Sequence, residues 1–282
     1  MDDQRRPTMR SRKLGQRLRA IREERGLTLQ KAARLLNRTP SSLSKLETGK
    51  RGIRRPALEH MLDRYGVTDT REREYLFELA QNAAERGWWH RYEGDLQPST
   101  LDYIALEAEA TMVRSFQLHL VPGLLQTEDY TRAVIRSQIS MGESLDIEKL
   151  AAIRLRRQRV LAKPRPALLN VVISEAVLRQ QVGGVSTMDA QLRRLSDAAQ
   201  LSNVEIRVLP YSAGAQPGHN GSYHILTTRD LSVVLIENLT TGWYLEEDED
   251  VRRHALAFDH LVTASLSPSD SLDLIERLRS GA

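Results

Sequence analysis

Cysteine is absent from the 282 residues, and with it go disulfides, zinc ribbons and thiol nucleophiles; a reducing compartment suits such a chain. Long apolar runs are missing as well. No stretch approaches the ~18 residues that would span a bilayer, and residues 1–13 are charged without an apolar core. Neither secretion nor contact with a membrane is therefore expected, and the expected location is cytoplasmic. No repeat of about 20 to 50 residues is visible, which argues against a solenoid. Hydrophobic residues at 40% and charged residues at 28% are ordinary for a globular protein, so wholesale disorder is excluded. The length makes two folded units the natural expectation.

What the chain does have is an uneven distribution of charge behind a net +4. Residues 1–66 hold 18 Lys and Arg against 7 Asp and Glu, a balance of +11, whereas the remaining 216 hold 23 against 30, a balance of −7. A basic module in front of a mildly acidic body predicts a polyanion-binding N-terminal end. On charge alone, a merely solvated basic arm is the open alternative.

Residues 1–10, with Pro7 and five charges, read as a flexible basic arm. Leu14, Leu18 and Ile21 then form one stripe of a helix over residues 11–25, ended by Gly26. Thr28 is placed to cap a helix through Leu36, with Asn37 and Arg38 as the turn; Thr39 caps a third helix, with Pro40 at its first position and Gly49 at its stop. Amphipathic spacing predicts further helices over residues 56–65 and 71–86. The polar, turn-rich stretch 87–97 marks the start of a second domain. There, helices are expected over residues 101–116, 127–138, 145–162, 175–181 and 187–201, strands over 168–173, 204–209, 222–227 and 232–237, and closing helices over 248–265 and 268–278. The expected fold class is multi-domain: an all-α helix-turn-helix N-terminal domain followed by an α+β C-terminal domain with a small sheet. Its parts are the arm 1–10, the DNA-binding domain 11–70, a connecting helix 71–86 and a regulatory or partner-binding domain 87–282.

The segment Leu27-Thr28-Leu29-Gln30-Lys31-Ala32-Ala33-Arg34-Leu35-Leu36-Asn37-Arg38-Thr39-Pro40-Ser41-Ser42-Leu43-Ser44-Lys45-Leu46-Glu47-Thr48-Gly49 resembles, without gaps, the phage-repressor-like or Xre-type helix-turn-helix family. Small Ala33 suits the crossing of the two helices, and Leu36, Leu43 and Leu46 supply the packing that fixes their angle. Asn37 stands where the family usually has Gly, a position Asn tolerates because it too adopts positive φ. A recognition helix inserts its N-terminal half into the major groove, where base edges are distinguishable. Ser41, Ser42, Ser44 and Lys45 are the side chains this geometry points at bases, with Lys45 toward guanine O6 and N7 the best single source of specificity. Thr28, Arg38, Thr39, Lys50, Arg51, Arg54 and Arg55 are the expected phosphate contacts, which set affinity rather than sequence; for Lys50 to Arg55 a solvated basic loop is the alternative. The resemblance implies a structural ion pair between Arg22 and Glu47. It also implies double-stranded DNA as partner, met by a homodimer, because one such unit covers too few bases.

Further along, Tyr103-Ile104-Ala105-Leu106-Glu107-Ala108-Glu109-Ala110, Leu120-Val121-Pro122-Gly123-Leu124-Leu125-Gln126-Thr127-Glu128-Asp129-Tyr130, Arg157-Gln158, Ser174-Glu175-Ala176-Val177-Leu178-Arg179, the 204–210 strand and Ile236-Glu237 look like a C-terminal domain of many actinomycete regulators. Members are antitoxin-like transcriptional regulators, often encoded beside a small partner protein. The resemblance therefore implies either a regulator controlled by an effector or partner, or an antitoxin-like module that neutralises a small protein from a neighbouring gene and autoregulates its operon. The Val121 to Tyr130 segment reads either as a ligand or partner surface or as a packed turn feeding a capped helix.

Catalysis is not expected. His219, His224, Asp230 and Glu237 fall near one hairpin, and Glu107, Glu109 and His119 cluster earlier, yet neither group has the spacing of a zinc site or a nucleophile elbow. Residues 214–221 lack the Lys-Ser/Thr of a phosphate-binding loop. No metal and no cofactor is called for. The run Arg154, Arg156, Arg157, Arg159 and Lys163 reads as a solvated helix face, with a second DNA contact as the alternative.

Overall fold

The structure is a computed structural model that describes residues 7–83, 87–139, 146–237 and 242–281. The chain divides into two compact units, Met1–Asp102 and Tyr103–Ala282.

The first unit is helical: α1 (Met9–Glu24), α2 (Leu29–Leu35), α3 (Pro40–Glu47), α4 (Arg55–Arg64) and α5 (Thr70–Asn82). Threonine hydroxyls start the first three. Thr8, Thr28 and Thr39 accept from the backbone N–H groups of Ser11, Lys31 and Ser42, removing donors that a helix start otherwise leaves unsatisfied. The capping by Thr8 corrects the expectation of a flexible arm through residue 10. Residues 1–6 of that arm lie outside the described residues, but Met9 and Arg10 are buried in the first turn of α1. Glycines at positive φ close α1, α3 and α4 (Gly26, Gly49 and Gly66), and Asn37 takes the same left-handed conformation, at φ 51°, in the turn between α2 and α3. Leu14, Leu18, Ile21, Leu43, Leu46, Leu58, Leu62, Leu76 and Leu79 meet in one core.

Helix α6 (Pro98–Glu109) leads into the second unit. Its sheet runs in the order β3-β2-β1-β4-β5-β6, formed by β1 (Met112–Gln117), β2 (Leu168–Ser174), β3 (Val204–Leu209), β4 (Tyr223–Thr227), β5 (Ser232–Glu237) and β6 (Gly242–Leu245). The first three strands pair in parallel and the rest antiparallel. Helices α7 (Glu128–Ile139) and α8 (Ile147–Arg157) lie in the crossover from β1 to β2. The crossover from β2 to β3 holds α9 (Glu175–Arg179) and α10 (Val185–Ala199), and α11 (Asp248–Ala264) and α12 (Pro268–Ser280) close the unit. The fold class is thus a helical helix-turn-helix unit followed by an α+β unit on a six-stranded sheet.

Two corrections concern that sheet. Residues 101–116 do not form one helix: α6 stops at Glu109 and the central strand β1 begins at Met112. One face of β1 carries Val113, Ser115 and Gln117, all buried, so two of its three inward residues are polar and the apolar alternation that marks a strand is blunted. The short edge strand β6, opened by Gly242, falls outside the expected strands. One face of the sheet packs Phe116, Val172, Tyr223, Ile225 and Val234 against Phe258 and Leu261 of α11. On the opposite face, where Ser115 lies opposite His224 across the antiparallel β1–β4 pair, the Tyr103 ring of α6 stands 5.6 Å from that of His224. Among the described residues no helix is long and apolar enough to cross a membrane.

The approach of α1 to α3 is set by a missing side chain. A Cβ at Gly15 would stand 2.5 Å from the Glu47 carbonyl oxygen and 2.6 Å from that of Leu46. Both obstacles are backbone, so neither swings away. Gly15→Ala is accordingly expected to lower the unfolding free energy by about 1–3 kcal/mol, although alanine inside a helix ordinarily gains ~1 kcal/mol over glycine. Urea denaturation followed by circular dichroism checks the sign, and a more stable variant would contradict the close approach.

Candidate nucleic-acid interface

The surface in question is built on α2, the Asn37 turn and α3. Ala32 and Ala33 are buried where α2 meets α3, and Leu36, Leu43 and Leu46 are buried beside them. From beneath, Arg22 of α1 holds the pair in place. Its Nε donates to Glu47 Oε1 at 2.6 Å and its Nη2 to Glu47 Oε2 at 2.9 Å, while Nη1 donates to the Leu27 carbonyl at 2.8 Å. The side chains of this pair are 8% and 5% exposed. The hydrogen bond to Glu47 raises the Arg22 pKa despite the burial that opposes it. One guanidinium therefore ties α1 to the last turn of α3 and to the residue just before the Thr28 cap.

With Leu43, Leu46 and Glu47 turned inward, the other side of α3 is left to Ser41, Ser42, Ser44 and Lys45. Ser41 and Lys45 are exposed, and Ser42 and Ser44 half-buried. Thr28 and Thr39 stand exposed at the two helix starts. Having accepted from the backbone, each hydroxyl still carries its own proton as a donor. Arg38 is half-buried in the turn, Lys50, Arg51 and Arg54 are exposed between α3 and α4, and Arg55 is exposed at the start of α4.

Two of these basic residues are held in ways that charge and spacing do not disclose. Arg51 Nη1 donates to Ser42 Oγ at 3.1 Å, joining a residue expected at phosphate to one expected at bases. The Arg55 guanidinium lies 4.5 Å from the centroid of the Phe77 ring, a cation–π contact that anchors it on α5. The signal for the second was the aromatic among the polar residues of α5. For the first there was no signal, because nine residues separate the partners around a glycine turn.

The second unit disperses some of its candidates and joins others. Asp230 is buried and accepts from Thr228 Oγ1 at 2.6 Å within the β4–β5 turn, a structural role. His119 is exposed, whereas Glu107 is buried and paired with Arg157. The His219 side chain lies outside the described residues. His224 and Glu237 do come together, Nε2 to Oε2 at 3.6 Å. Among the described residues no group of three or more His, Asp or Glu side chains could hold a metal ion.

The expectation of a solvated face is corrected for three members of the 154–163 run. Arg157 forks onto Glu107 at 2.7 and 2.9 Å, Arg154 Nη1 donates to Gln126 Oε1 at 3.1 Å, and Lys163 Nζ donates to the Ala108 carbonyl at 3.1 Å. Three of the five cations are thus engaged with their own unit, because the helix ends against the α6 carboxylate and the 121–126 turn.

A profile described as a helix-turn-helix domain matches residues 13–76. A second, described as a domain of unknown function, DUF5753, matches residues 100–277. No curated protein and no solved structure matches the chain.

The buried pair and its neighbour Tyr65 respond in opposite directions. Glu47→Ala leaves the Arg22 cation buried without its partner, an expected loss of about 3–5 kcal/mol. The Tyr65 hydroxyl is buried with no hydrogen-bond partner, so Tyr65→Phe is expected to leave stability unchanged or raise it by about 1 kcal/mol. Thermal and urea denaturation of both variants measures the contrast; a Tyr65→Phe loss as large as that of Glu47→Ala would show that the hydroxyl holds the fold.

Proposed function

Because this chain belongs to the family described as a domain of unknown function, DUF5753, and carries a helix-turn-helix before it, we propose that it is a sequence-specific transcriptional regulator of the Xre type. In this reading α3 lies in the major groove of double-stranded DNA, and the second unit governs binding by taking an effector or partner. The observation that carries the reading is the pair of threonine-capped helices with Ser41, Ser42, Ser44 and Lys45 facing outward, flanked by the exposed cations Lys50, Arg51, Arg54 and Arg55.

The division of labour follows from chemistry. Serine hydroxyls both donate and accept, so they discriminate bases weakly, whereas the Lys45 ammonium only donates and favours the acceptors of guanine. Thr28, Thr39, Arg38 and the basic loop take phosphates, which position the helix without reading sequence. Arg51, resting on Ser42, reaches the phosphate beside the bases that α3 reads. A single unit contacts few base pairs, so the regulator acts as a homodimer on two half-sites. In this reading the second unit is a binding unit, with Glu107 committed to Arg157.

Selection of bound sequences from a random DNA pool, followed by titration of the selected site at several salt concentrations, tests this directly. Lys45→Ala is expected to reduce the preference at one base pair of each half-site by roughly 1–3 kcal/mol. Arg51→Ala is expected to weaken binding to all sequences and to reduce the slope of log K against log salt by about 0.9 per protomer. Absence of any enriched sequence would sink the reading, and an unchanged slope would remove Arg51 from the phosphates.

A further inference from the structure

One cluster of charged and aromatic side chains gathers on the sheet face beneath α6. Arg157 of α8 forks onto Glu107 of α6, and its guanidinium lies 4.6 Å from the centroid of the Tyr103 ring. Tyr103 in turn rests against the His224 ring at 5.6 Å. Gln158 Nε2 donates to the Gly123 and Gln126 carbonyls at 3.1 and 2.7 Å, pinning the 121–126 turn over the same arginines. A Cβ at Gly123 would stand 3.4 Å from Arg157 Nη2 and 3.8 Å from Arg154 Cδ.

Within this cluster the cations are not equally provided for. Arg157 has a carboxylate fork and an aromatic face. Among the described residues Arg154 has one hydrogen bond, to the neutral amide oxygen of Gln126, and no ion pair. Gln126 itself is buried and committed, accepting from Thr131 Oγ1 at 3.1 Å and donating to the Val121 carbonyl at 2.7 Å. Burial, and after it the neighbouring Arg157 cation, lower the Arg154 guanidinium to about 10 against the pull of Glu237, Tyr103 and Glu107. A second group is also incompletely satisfied. His224 is 6% exposed, and its Nε2 faces Gln117 Nε2 at 3.1 Å and Glu237, while its buried Nδ1 has no hydrogen-bond partner. The cluster reaches solvent at Glu237, whose side chain is 64% exposed.

Arg154 is half-buried and, with its single amide hydrogen bond, keeps guanidinium N–H groups available to a ligand. We infer that Arg154 is a ligand site and that this unit binds a small organic monocarboxylate there, between the 121–126 turn, α8 and the His224–Glu237 end of the sheet. A carboxylate presents two coplanar oxygens to the guanidinium fork. A doubly charged phosphate would set a surplus negative charge against Glu237 and Glu107. The ionised Glu237 would accept from a hydroxyl or amino group elsewhere on the ligand. The assignment gives chemical content to the effector-binding reading above and rests on it for its biological sense, but the binding is measurable without DNA.

Thermal unfolding of the full chain with propionate, lactate or inorganic phosphate, each compared with chloride at matched ionic strength, provides the test. Propionate and lactate are expected to raise the midpoint saturably, lactate at lower concentration, and phosphate to do less. Arg154→Met is expected to abolish the response and to raise the anion-free midpoint by about 2–4 °C, whereas Arg157→Met, which strands Glu107, lowers it. The site is overturned by a wild-type response no larger than that to chloride, by an unchanged response in Arg154→Met, or by an anion-free midpoint that falls in Arg154→Met. A phosphate response exceeding both carboxylates overturns the assignment of a monoanion. DNA affinity with and without lactate then bears on regulation alone: saturable binding that leaves DNA affinity unchanged keeps the site and removes its regulatory role.

Discussion

The Arg22–Glu47 pair is the contact on which the geometry of the N-terminal unit depends. Its two charges are almost wholly desolvated, a situation that is favourable only when each donor and acceptor finds a well-placed partner. Arg22 meets that condition by giving three N–H groups to two segments, the end of α3 and the residue before the Thr28 cap of α2. The consequence is positional. With α1 seated directly on the α3 backbone at Gly15, the outward face of α3 has little freedom to rotate or slide relative to the Thr28 and Thr39 caps. In the proposed reading, the groove-facing serines and the phosphate-binding hydroxyls are therefore parts of one rigid surface.

The C-terminal unit uses the same device and leaves it incomplete. Arg157 and Glu107 reproduce the fork of Arg22 and Glu47, again joining two helices far apart in sequence. Gln158, the next residue, fastens the 121–126 turn through two carbonyls. One turn of helix earlier, Arg154 enters the same environment with only an amide oxygen to meet it. Side by side, the two arginines contrast full satisfaction in one case with an underused fork in the other.

How far the sequence discloses this structure depends on whether a feature is local. The caps Thr28 and Thr39, the positive-φ turn at Asn37 and the stop at Gly49 are each decided by a few neighbouring residues, and each is readable from residue type alone. Strand β1 was not, because Ser115 and Gln117 occupy inward positions where a strand ordinarily shows apolar side chains. Gln117 Nε2 donates to Ser115 Oγ and faces His224 Nε2, so on this face β1 meets a buried histidine rather than an apolar layer. The inward turn of Arg154, Arg157 and Lys163 was hidden for the same reason. A run of cations on a helix looks solvated until the carboxylate and carbonyls that receive it, some fifty residues away, are brought alongside. Gly15 did carry a signal, since a glycine between Leu14 and Leu18 weakens a helix by ~1 kcal/mol and needs a packing reason.

The chemistry of the outward face bears on where selectivity arises. If α3 reads DNA through three hydroxyls and one ammonium, direct readout supplies only a few kcal/mol per half-site, whereas the basic loop supplies affinity that is indifferent to sequence. Discrimination must then come largely from presenting two half-sites at a fixed separation. Such a separation is a property of the protein beyond its helix-turn-helix, and it is open to control by anything that binds there. A weak reading face and a second unit with an unsatisfied cation are therefore complementary: the less each helix decides alone, the more the outcome can be governed by a ligand that never touches DNA.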